Sequence, residues 1–238
     1  MVRRAVVIGS GGGIGAALAR RLAASAGFDM VHALSRHPPP NEGPGPLRPG
    51  YIDIGAPDSI AAAAAAIGGP LELVLIATGL LHEGEHRPER ALKALDAAWL
   101  AGQFQINAIG PALVLRHFAP LLAGDRRAII AALSARVGSI SDNRLGGWYG
   151  YRASKAALNM IVRTAAIELA RVRPAAICVG LHPGTVDTGL SRPFRSGVPA
   201  ARRFTPEAAA DRLLRVLDGL DARATGRCFA WDGSEVPP

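Results

Sequence analysis

Residues 4–20 read RAVVIGSGGGIGAALAR, an apolar run that leads through a glycine loop into an alanine-rich segment. The apolar run predicts a buried strand, and the segment after the glycines predicts a helix. Glycine lets the backbone turn tightly, and the free N–H groups at a helix start attract anions. This stretch therefore predicts a pyrophosphate-binding turn between a strand and a helix. The predicted binding residues in the turn are Gly9, Ser10, Gly13, Ile14 and Gly15.

The alternation of short apolar runs and helical segments continues along the chain. Strands are predicted at Arg4–Ile8, Met30–Leu34, Tyr51–Ile54, Leu71–Ala77, Arg127–Leu133, Ala175–Leu181 and Arg227–Trp231. Helices are predicted at Gly13–Ala26, Pro57–Ile67, Asp96–Leu122, Tyr149–Ala170 and Pro206–Leu217. Continuous apolar strands alternating with helices indicate an α/β fold, with a parallel sheet covered on both faces. In such sheets ligands bind beyond the carboxyl ends of the strands, where functional residues are therefore expected.

Two segments rich in proline and glycine separate these elements. His37–Gly50 is predicted as a loop, and Gly184–Thr205 as a longer one. Long loops of this kind often cover a binding site, so the second is interpreted as a mobile substrate flap. The length of 238 residues fits one domain over residues 1–238 that includes this flap.

Composition limits the class of protein. Of the residues, 49% are hydrophobic, which is enough for a sizeable core. The formal net charge is +8, but the basic residues are scattered, so nucleic-acid binding is not expected. No uninterrupted apolar stretch reaches the about 18 residues of a membrane span. Cys178 and Cys228 lie in apolar runs and are interpreted as buried free thiols, so a cytoplasmic protein is expected.

The end of the second predicted strand bears on the choice of nucleotide. An acidic residue there would bond the ribose hydroxyls of NAD, but the sequence has Ser35 followed by Arg36. Arg36 offers a fork of donors to a 2′-phosphate. NADP(H) is therefore the preferred cofactor and NAD(H) the alternative, while a solvated surface arginine is the competing interpretation.

Tyr151 and Lys155 are four residues apart and share one face of a predicted helix. A neighbouring cation favours the phenolate and lowers the pKa of a tyrosine from its usual value of about 10. Such a tyrosine can donate a proton to a carbonyl oxygen while hydride arrives at the carbon, or do the reverse. Lys155 is one of only two lysines in a chain that otherwise uses arginine, which cannot supply a tunable ammonium.

The two motifs together resemble those of the classical short-chain dehydrogenase/reductase family. They are the glycines at 9, 13 and 15 and the Tyr-x-x-x-Lys pair, and the resemblance spans essentially the whole chain. Ser134–Asn159 looks most like the branch with C-factor-type and carbonyl-reductase-like members. The resemblance implies a Rossmann-type doubly wound sheet of seven parallel strands. It also implies reversible chemistry between a small-molecule carbonyl and an alcohol.

The resemblance implies further site residues. Asn107 corresponds to a helix asparagine that helps to hold a water beside the lysine. Asp53 corresponds to an adenine contact, although it could equally brace a turn. The other implied cofactor contacts are Ile54, Ala77, Thr78, Gly79, Pro183, Gly184, Val186 and Thr188, together with Tyr151 and Lys155 themselves.

The position of the family's catalytic serine is irregular in this chain. That serine precedes a glycine by three residues, and here the place is taken by Ala135, before Gly138. Ser134 lies one position earlier and Ser139 four later. Ser134 is favoured as the residue that polarises the substrate carbonyl, with Ser139, or neither serine, as the alternatives.

Residues His82–His86 match the H-E-x-x-H pattern of zinc proteases. That chemistry needs both histidines on one face of a stable helix, with a further ligand downstream. Gly84 and the nearby Pro88 predict a loop instead. No metal site is therefore predicted, and these histidines are interpreted as loop residues that edge the substrate cleft.

Two other interpretations compete with a simple ketone or aldehyde reductase. One is a cofactor-binding signalling or regulatory protein with little turnover, which the irregularity at Ala135 supports. The other is a reductase of acyl-thioester ketones, for which a basic entrance would be formed by Arg192, Arg195, Arg202 and Arg203. A partly hydrophobic ligand is suggested by Leu190, Phe194, Val198 and Phe204. A homodimer built from the Asp96–Leu122 and Tyr149–Ala170 helices is the favoured assembly, with a monomer, as in the carbonyl-reductase-like branch, as the alternative.

Overall fold

The fold was analysed in a computed structural model, which describes residues 2–39, 45–197, 199 and 203–238. For residues 195–197 the backbone alone is described. Val198, Arg202 and the Arg195 side chain, which the sequence placed at the flap, thus lie outside the described residues.

A twisted sheet of parallel strands forms the centre of the described structure. Its strands are β1 (Arg4–Ile8), β2 (Met30–Ser35), β3 (Leu47–Tyr51), β4 (Leu73–Ile76), β5 (Ala128–Leu133), β6 (Ala176–His182) and β9 (Cys228–Ala230). The strand order is β3-β2-β1-β4-β5-β6-β9, and each neighbouring pair is parallel. The predicted seven-stranded parallel sheet is therefore confirmed.

Helices cover both faces of this sheet. They are α1 (Gly13–Ala24), α2 (Pro57–Ile67), α3 (Ala97–Phe104), α4 (Gly110–Phe118), α5 (Tyr149–Val172) and α6 (Pro206–Asp218). In β1, Val6 and Ile8 pack in the core under α2, α4 and α5, whereas Ala5 and Val7 pack under α1 and α6. Side chains alternate across a strand, so a strand buried on both faces needs apolar residues at every position.

The long helix predicted at Asp96–Leu122 is divided in the structure. Helix α3 ends at Phe104, a wide π turn covers Gln105–Ile109, and α4 begins at Gly110. Proline at position 111 has no N–H for the carbonyl of Asn107, so a regular ladder of helix bonds is interrupted here. The π turn contains Asn107, one of the predicted site residues.

The third strand begins earlier than the sequence predicts. It runs over Leu47–Tyr51 and not over Tyr51–Ile54, so residues 47–50 of the loop predicted at His37–Gly50 belong to a strand. Residues 40–44 of that loop lie outside the described residues. Proline is disfavoured in inner strands, but β3, which contains Pro49, is the outer strand of the sheet. The O atom of Pro46 accepts from β2, and Ile52 N donates to β2. Alternate residues therefore face β2, and the nitrogen of Pro49 points outward, where no hydrogen bond is lost.

The predicted flap contains a small sheet of its own. Strand β7 (Thr185–Val186) pairs in parallel with β8 (Arg203–Phe204). The guanidinium of Arg212 in α6 lies 4.4 Å from the Phe204 ring centroid and 4.5 Å from that of Trp231, which holds β8 against the domain. One domain with this segment as its substrate flap stays a prediction.

Two surface features concern assembly and membranes. A groove between α4 and α5, lined in part by Leu115 and Met160, lies where the homodimer contact is predicted. Among the helices of the described ranges, none is long and apolar enough to span a bilayer.

Candidate active site

Three positions of the glycine loop between β1 and α1 have no room for a side chain. Gly9 has φ +90°, a conformation that favours glycine. A Cβ at Gly15 would lie 2.2 Å from the carbonyl oxygen of Gly9, and one at Gly13 would lie 2.8 Å from Thr188 Cγ2. No side chain caps α1, whose first N–H groups have no partner within the helix. This cradle fits the pyrophosphate of a dinucleotide.

The end of the glycine loop beside β2 contains a buried hydroxyl, that of Ser35, without a hydrogen-bond partner among the described residues. This hydroxyl lies 3.6 Å from the position that a Cβ would take at Gly11. Arg36 follows at the surface with its side chain exposed. A buried hydroxyl and an exposed guanidinium next to the glycine loop fit the ribose end of a phosphorylated nucleotide.

Asp53 and Ile54 make local structural contacts. Asp53 Oδ1 accepts from Gly55 N at 2.9 Å, which is the turn-bracing role that the sequence left open. Ile54 is buried in the core, and a Cβ at Gly110 would lie 2.6 Å from its carbonyl oxygen. An adenine contact by these two residues stays a prediction.

The turn after β4 connects the glycine loop to the reactive residues. Ala77, Thr78 and Gly79 line the same cleft as the glycine loop. The buried Thr78 hydroxyl has no partner within the described part of the chain. A Cβ at Gly79 would lie 3.6 Å from Asn107 Oδ1 and 3.9 Å from Lys155 Nζ. Gly79 thus lies directly beside both polar groups, of which Lys155 lines the cleft.

Tyr151 and Lys155 lie on the first two turns of α5 and line the cleft, which has a volume of about 420 Å³. Tyr151 is 7% exposed and Lys155 is 2% exposed. Lys155 Nζ lies 5.9 Å from the centroid of the Tyr151 ring and donates to the carbonyl oxygen of Leu133 at 2.7 Å. The structure therefore brings the predicted phenol and ammonium together, next to the glycine loop.

The electrostatics of this pair differ from the sequence expectation. Burial raises the pKa of Tyr151 to about 12, although the neighbouring cation was expected to lower it. Burial also lowers the pKa of Lys155 to about 8, with a smaller opposite effect from Cys228. Desolvation disfavours the charged form of each group, and it is the main cause of both shifts. At neutral pH the Tyr151 phenol is therefore neutral, and the Lys155 side chain loses its proton near pH 8.

Asn107 joins the turn after β4 to helix α5. Its Oδ1 accepts from Leu80 N and its Nδ2 donates to Leu80 O, both at 2.8 Å. The same Nδ2 donates to Ser154 Oγ at 3.0 Å. Because the π turn directs this side chain between two segments of the site, it fixes their spacing. That it also holds a water beside Lys155 stays a prediction.

The two serines near Ala135 direct their hydroxyls to other partners. Ser134 Oγ donates to Asn159 Oδ1 at 2.6 Å, although Ser134 is among the residues that line the cleft. Ser139 Oγ donates to the carbonyl oxygen of Pro238 at 3.2 Å. Polarisation of the carbonyl by Ser134 stays a prediction, and its bond to Asn159 weighs against it.

The segment after β6 closes the cleft from the flap side. Pro183 and Thr188 line the cleft, while the buried Val186 accepts a hydrogen bond from the Ser191 hydroxyl at its carbonyl. Gly184 has φ +77°, and a Cβ there would lie 2.7 Å from the Phe204 ring. These contacts hold residues 184–186 near Phe204 and Ser191, and Thr188 lies beside Gly13 at the start of α1. Contacts of these residues with a nicotinamide stay a prediction.

An aromatic contact ties the flap to the loops on the opposite side of the cleft. The Phe194 ring lies 5.5 Å from that of His82 and 5.3 Å from that of Trp148. Trp148 in turn lies 6.3 Å from the Tyr151 ring. These rings form an aromatic cluster beside Tyr151, and a partly hydrophobic ligand stays a prediction.

The H-E-x-x-H segment is a turn, as predicted. Gly84 has φ +55°, and Glu83 and His86 form a bridge across the turn. His82 contacts the carbonyl oxygen of Gly189 at 3.1 Å, whereas His86 stacks on Trp99 at 4.8 Å. Within the described ranges, no three metal-ligating side chains are grouped together.

Sequence reasoning missed three residues of the site. Ser35 was noted only as the neighbour of Arg36, and its burial depends on the packing of the glycine loop. Trp148 has φ +54° and follows two glycines that also have positive φ, so the Gly-Gly pair was the available signal. Glu89 gave no local signal, because its contacts are with residues about 60 positions away.

Comparison with known proteins agrees with this geometry. The short chain dehydrogenase family matches residues 3–198. C-signal of Myxococcus xanthus is 40% identical over 148 residues, which cover 62% of this chain and 83% of that protein. The 1-hydroxy-2-glutathionyl-2-methyl-3-butene dehydrogenase of Rhodococcus sp. (strain AD45) is 32% identical over 192 residues, which cover 79% of this chain and 78% of that protein. NADPH-bound carbonyl reductase from chicken fatty liver superimposes with a TM-score of 0.86 and 25% identity, covering 100% of this chain and 94% of that one.

Proposed function

The chain belongs to the short-chain dehydrogenase/reductase family, and from this premise we propose that it is an NADPH-dependent reductase of ketones or aldehydes. Membership makes it an NAD(P)-dependent oxidoreductase that acts on a small molecule. The observation that carries the proposal is the cleft in which Tyr151 and Lys155 meet the glycine loop and Gly79. These groups supply a proton donor, a cation and an anion cradle within one site.

The roles of the chain's own residues follow from their positions. Bound nicotinamide would supply the hydride to the carbonyl carbon. Tyr151 donates its phenolic proton to the carbonyl oxygen, and a raised pKa keeps this phenol protonated at neutral pH. Lys155, as an ammonium, stabilises the phenolate that is left. Burial of both residues excludes water from the proton transfer.

The direct test follows NADPH absorbance with purified protein across a panel of ketones, aldehydes and acyl-thioester ketones. Consumption that depends on a carbonyl is the expected result, and the best carbonyl starts to define the substrate class. Absence of binding for both NADPH and NADH, measured by protein fluorescence, would refute the proposal.

Arg36 is proposed to select NADPH over NADH. Its removal is expected to weaken NADPH binding by about ten- to a hundredfold, the effect of losing a hydrogen bond to a charged group. The affinity for NADH should stay near the wild-type value, since NADH has no 2′-phosphate. Titration calorimetry of Arg36→Ala with both nucleotides measures this. Arg171→Ala removes the same charge at an exposed site and should change neither affinity; equal losses for both nucleotides in Arg36→Ala would contradict the assignment.

The rate of reduction should fall as the pH rises through about 8. Burial lowers the pKa of Lys155, so its ammonium is present below this pH and lost above it. Tyr151, with a pKa of about 12, remains protonated throughout. The pH dependence of kcat/KM reports groups of the free enzyme and therefore measures this titration. In Lys155→Arg the charge persists, so the alkaline decline should disappear; a decline that persists there points to another group.

A signalling or regulatory protein with incidental turnover is the second candidate. It is favoured by the 40% identity to C-signal and by alanine at position 135. NADPH binding without carbonyl-dependent consumption would support this candidate. Loss of function on substituting Tyr151 would support the reductase.

The acyl-thioester alternative depends on a basic entrance at the flap. Of its four arginines, Arg192 is exposed and Arg203 has an interaction partner, whereas Arg202 and the Arg195 side chain lie outside the described residues. The acyl-thioester ketones in the substrate panel test this narrower class directly.

A further inference from the structure

The catalytic helix α5 starts without a cap of its own. The residue before its first turn is Trp148, which has φ 54° and ψ 44° and offers no side-chain hydrogen bond to the helix. The first N–H groups of a helix need acceptors, and a buried helix start without them is costly. Tyr151 lies within this first turn, so whatever fixes the turn also fixes the phenol.

Glu89 supplies the acceptors from a distant part of the chain. It belongs to the loop between β4 and α3, and it is only 3% exposed. Its Oε2 accepts from Gly150 N at 3.2 Å, and its carbonyl oxygen accepts from Trp148 N at 2.5 Å. A carboxylate at this position also faces the positive end of the helix dipole. One residue thus holds two of the three amides that precede Tyr151.

The same turn is held from its other side by α3. Gln103 is fully buried, and its Oε1 lies 1.8 Å from the position that a Cβ would take at Gly150. Leu100 Cδ2 lies 2.7 Å from that position. Close packing on Gly150 leaves this residue no room to shift toward α3, while Glu89 holds its amide. Both constraints act on the residue next to Tyr151.

We propose that Glu89 is a positioning residue for Tyr151, whose buried carboxylate serves as the N-terminal cap of the catalytic helix. The inference rests on the proposed reductase function, because it assigns Glu89 a part in placing the proton donor. Glu89 acts through the backbone at residues 148–150 and forms no part of the cofactor cradle. Its removal should therefore slow proton transfer and leave nucleotide binding intact.

The test compares Glu89→Ala, Glu89→Gln and Glu85→Ala. Glu89→Ala is expected to lower kcat by about 10- to 100-fold, because a misplacement of a reacting group by about 1 Å can slow the reaction about 100-fold. The Kd for NADPH should be unchanged. Glu89→Gln retains an acceptor oxygen for Gly150 N and should recover most of kcat. Glu85 is an exposed glutamate of the same loop, so Glu85→Ala should match the wild type.

A second readout does not depend on turnover. Hydrogen exchange of the amides at residues 148–152 should speed up in Glu89→Ala and stay at the wild-type rate in Glu85→Ala. A wild-type kcat in Glu89→Ala, or equal losses of kcat in the alanine and glutamine variants, would overturn the inference. So would a parallel loss of NADPH binding, which would indicate a general structural defect. Failure of the proposed function looks different, because the wild type and Tyr151→Phe would then be equally inactive.

Discussion

Tyr151→Phe is expected to lower kcat for carbonyl reduction by about 10²- to 10⁴-fold, the usual contribution of a positioned proton donor. The phenylalanine ring fills the same buried space, so folding and the affinity for NADPH should be nearly unchanged. The lost hydroxyl removes the group that the proposal assigns as the proton donor to the carbonyl oxygen. Single-turnover oxidation of bound NADPH measures the chemical step directly.

Tyr149→Phe is the matched control for this experiment. Tyr149 is the first residue of the same helix and is partly exposed, so its phenol can be removed without disturbing the cleft. The control should keep the wild-type rate. A rate of Tyr151→Phe equal to that of the control would exclude Tyr151 as the proton donor.

Ala135→Ser is expected to raise the rate of the chemical step by about 10- to 1000-fold, the worth of one preorganised donor to a developing oxyanion. Position 135 corresponds to that of the catalytic serine in the short-chain dehydrogenase/reductase family. Residue 135 has extended backbone, with φ −153° and ψ 147°, so its side chain points away from that of Ser134. Ser134 lines the cleft, but its hydroxyl is bonded to Asn159, so the prediction for residue 135 rests on the family position and is tested by the variant itself.

Two further variants separate the role of residue 135 from that of its neighbour. Ala135→Cys adds a larger sulfur atom with only a weak S–H donor, and it should gain much less than serine. Ser134→Ala tests whether Ser134 polarises the carbonyl, in which case the rate falls and Ala135→Ser adds little. Pre-steady-state NADPH oxidation in the three variants decides between the two serine positions.

The elements that sequence reasoning placed correctly are those with local signals. The first strand, the glycine loop and α1 follow from apolar runs and glycines within residues 4–24. Helix α2 runs over Pro57–Ile67 as predicted, since proline at its start and glycine after its end mark both boundaries. Tyr151 and Lys155 came together because their spacing matches the period of a helix. In each case neighbours in the sequence determine the conformation.

The features that were missed depend on distant parts of the chain. The bounds of β3 follow from its pairing with β2, which gives a proline-containing segment a place in the sheet. The cap of α5 comes from Glu89, and the orientation of Ser134 comes from Asn159 in α5. The pKa of Tyr151 reflects burial by the folded chain, whereas the sequence showed only the nearby lysine. None of these contacts leaves a periodic pattern.

The outward nitrogen of Pro49 has a consequence for the behaviour of this protein in concentrated solution. An outer strand offers its free backbone groups to any extended peptide, and pairing there can lead to fibrils or swapped assemblies. At Pro49 a docking strand would find a ring where it needs an N–H donor, which interrupts the ladder in the middle of the five residues of β3. The proline that obscured this strand in the sequence thus protects the sheet from aggregation along this edge.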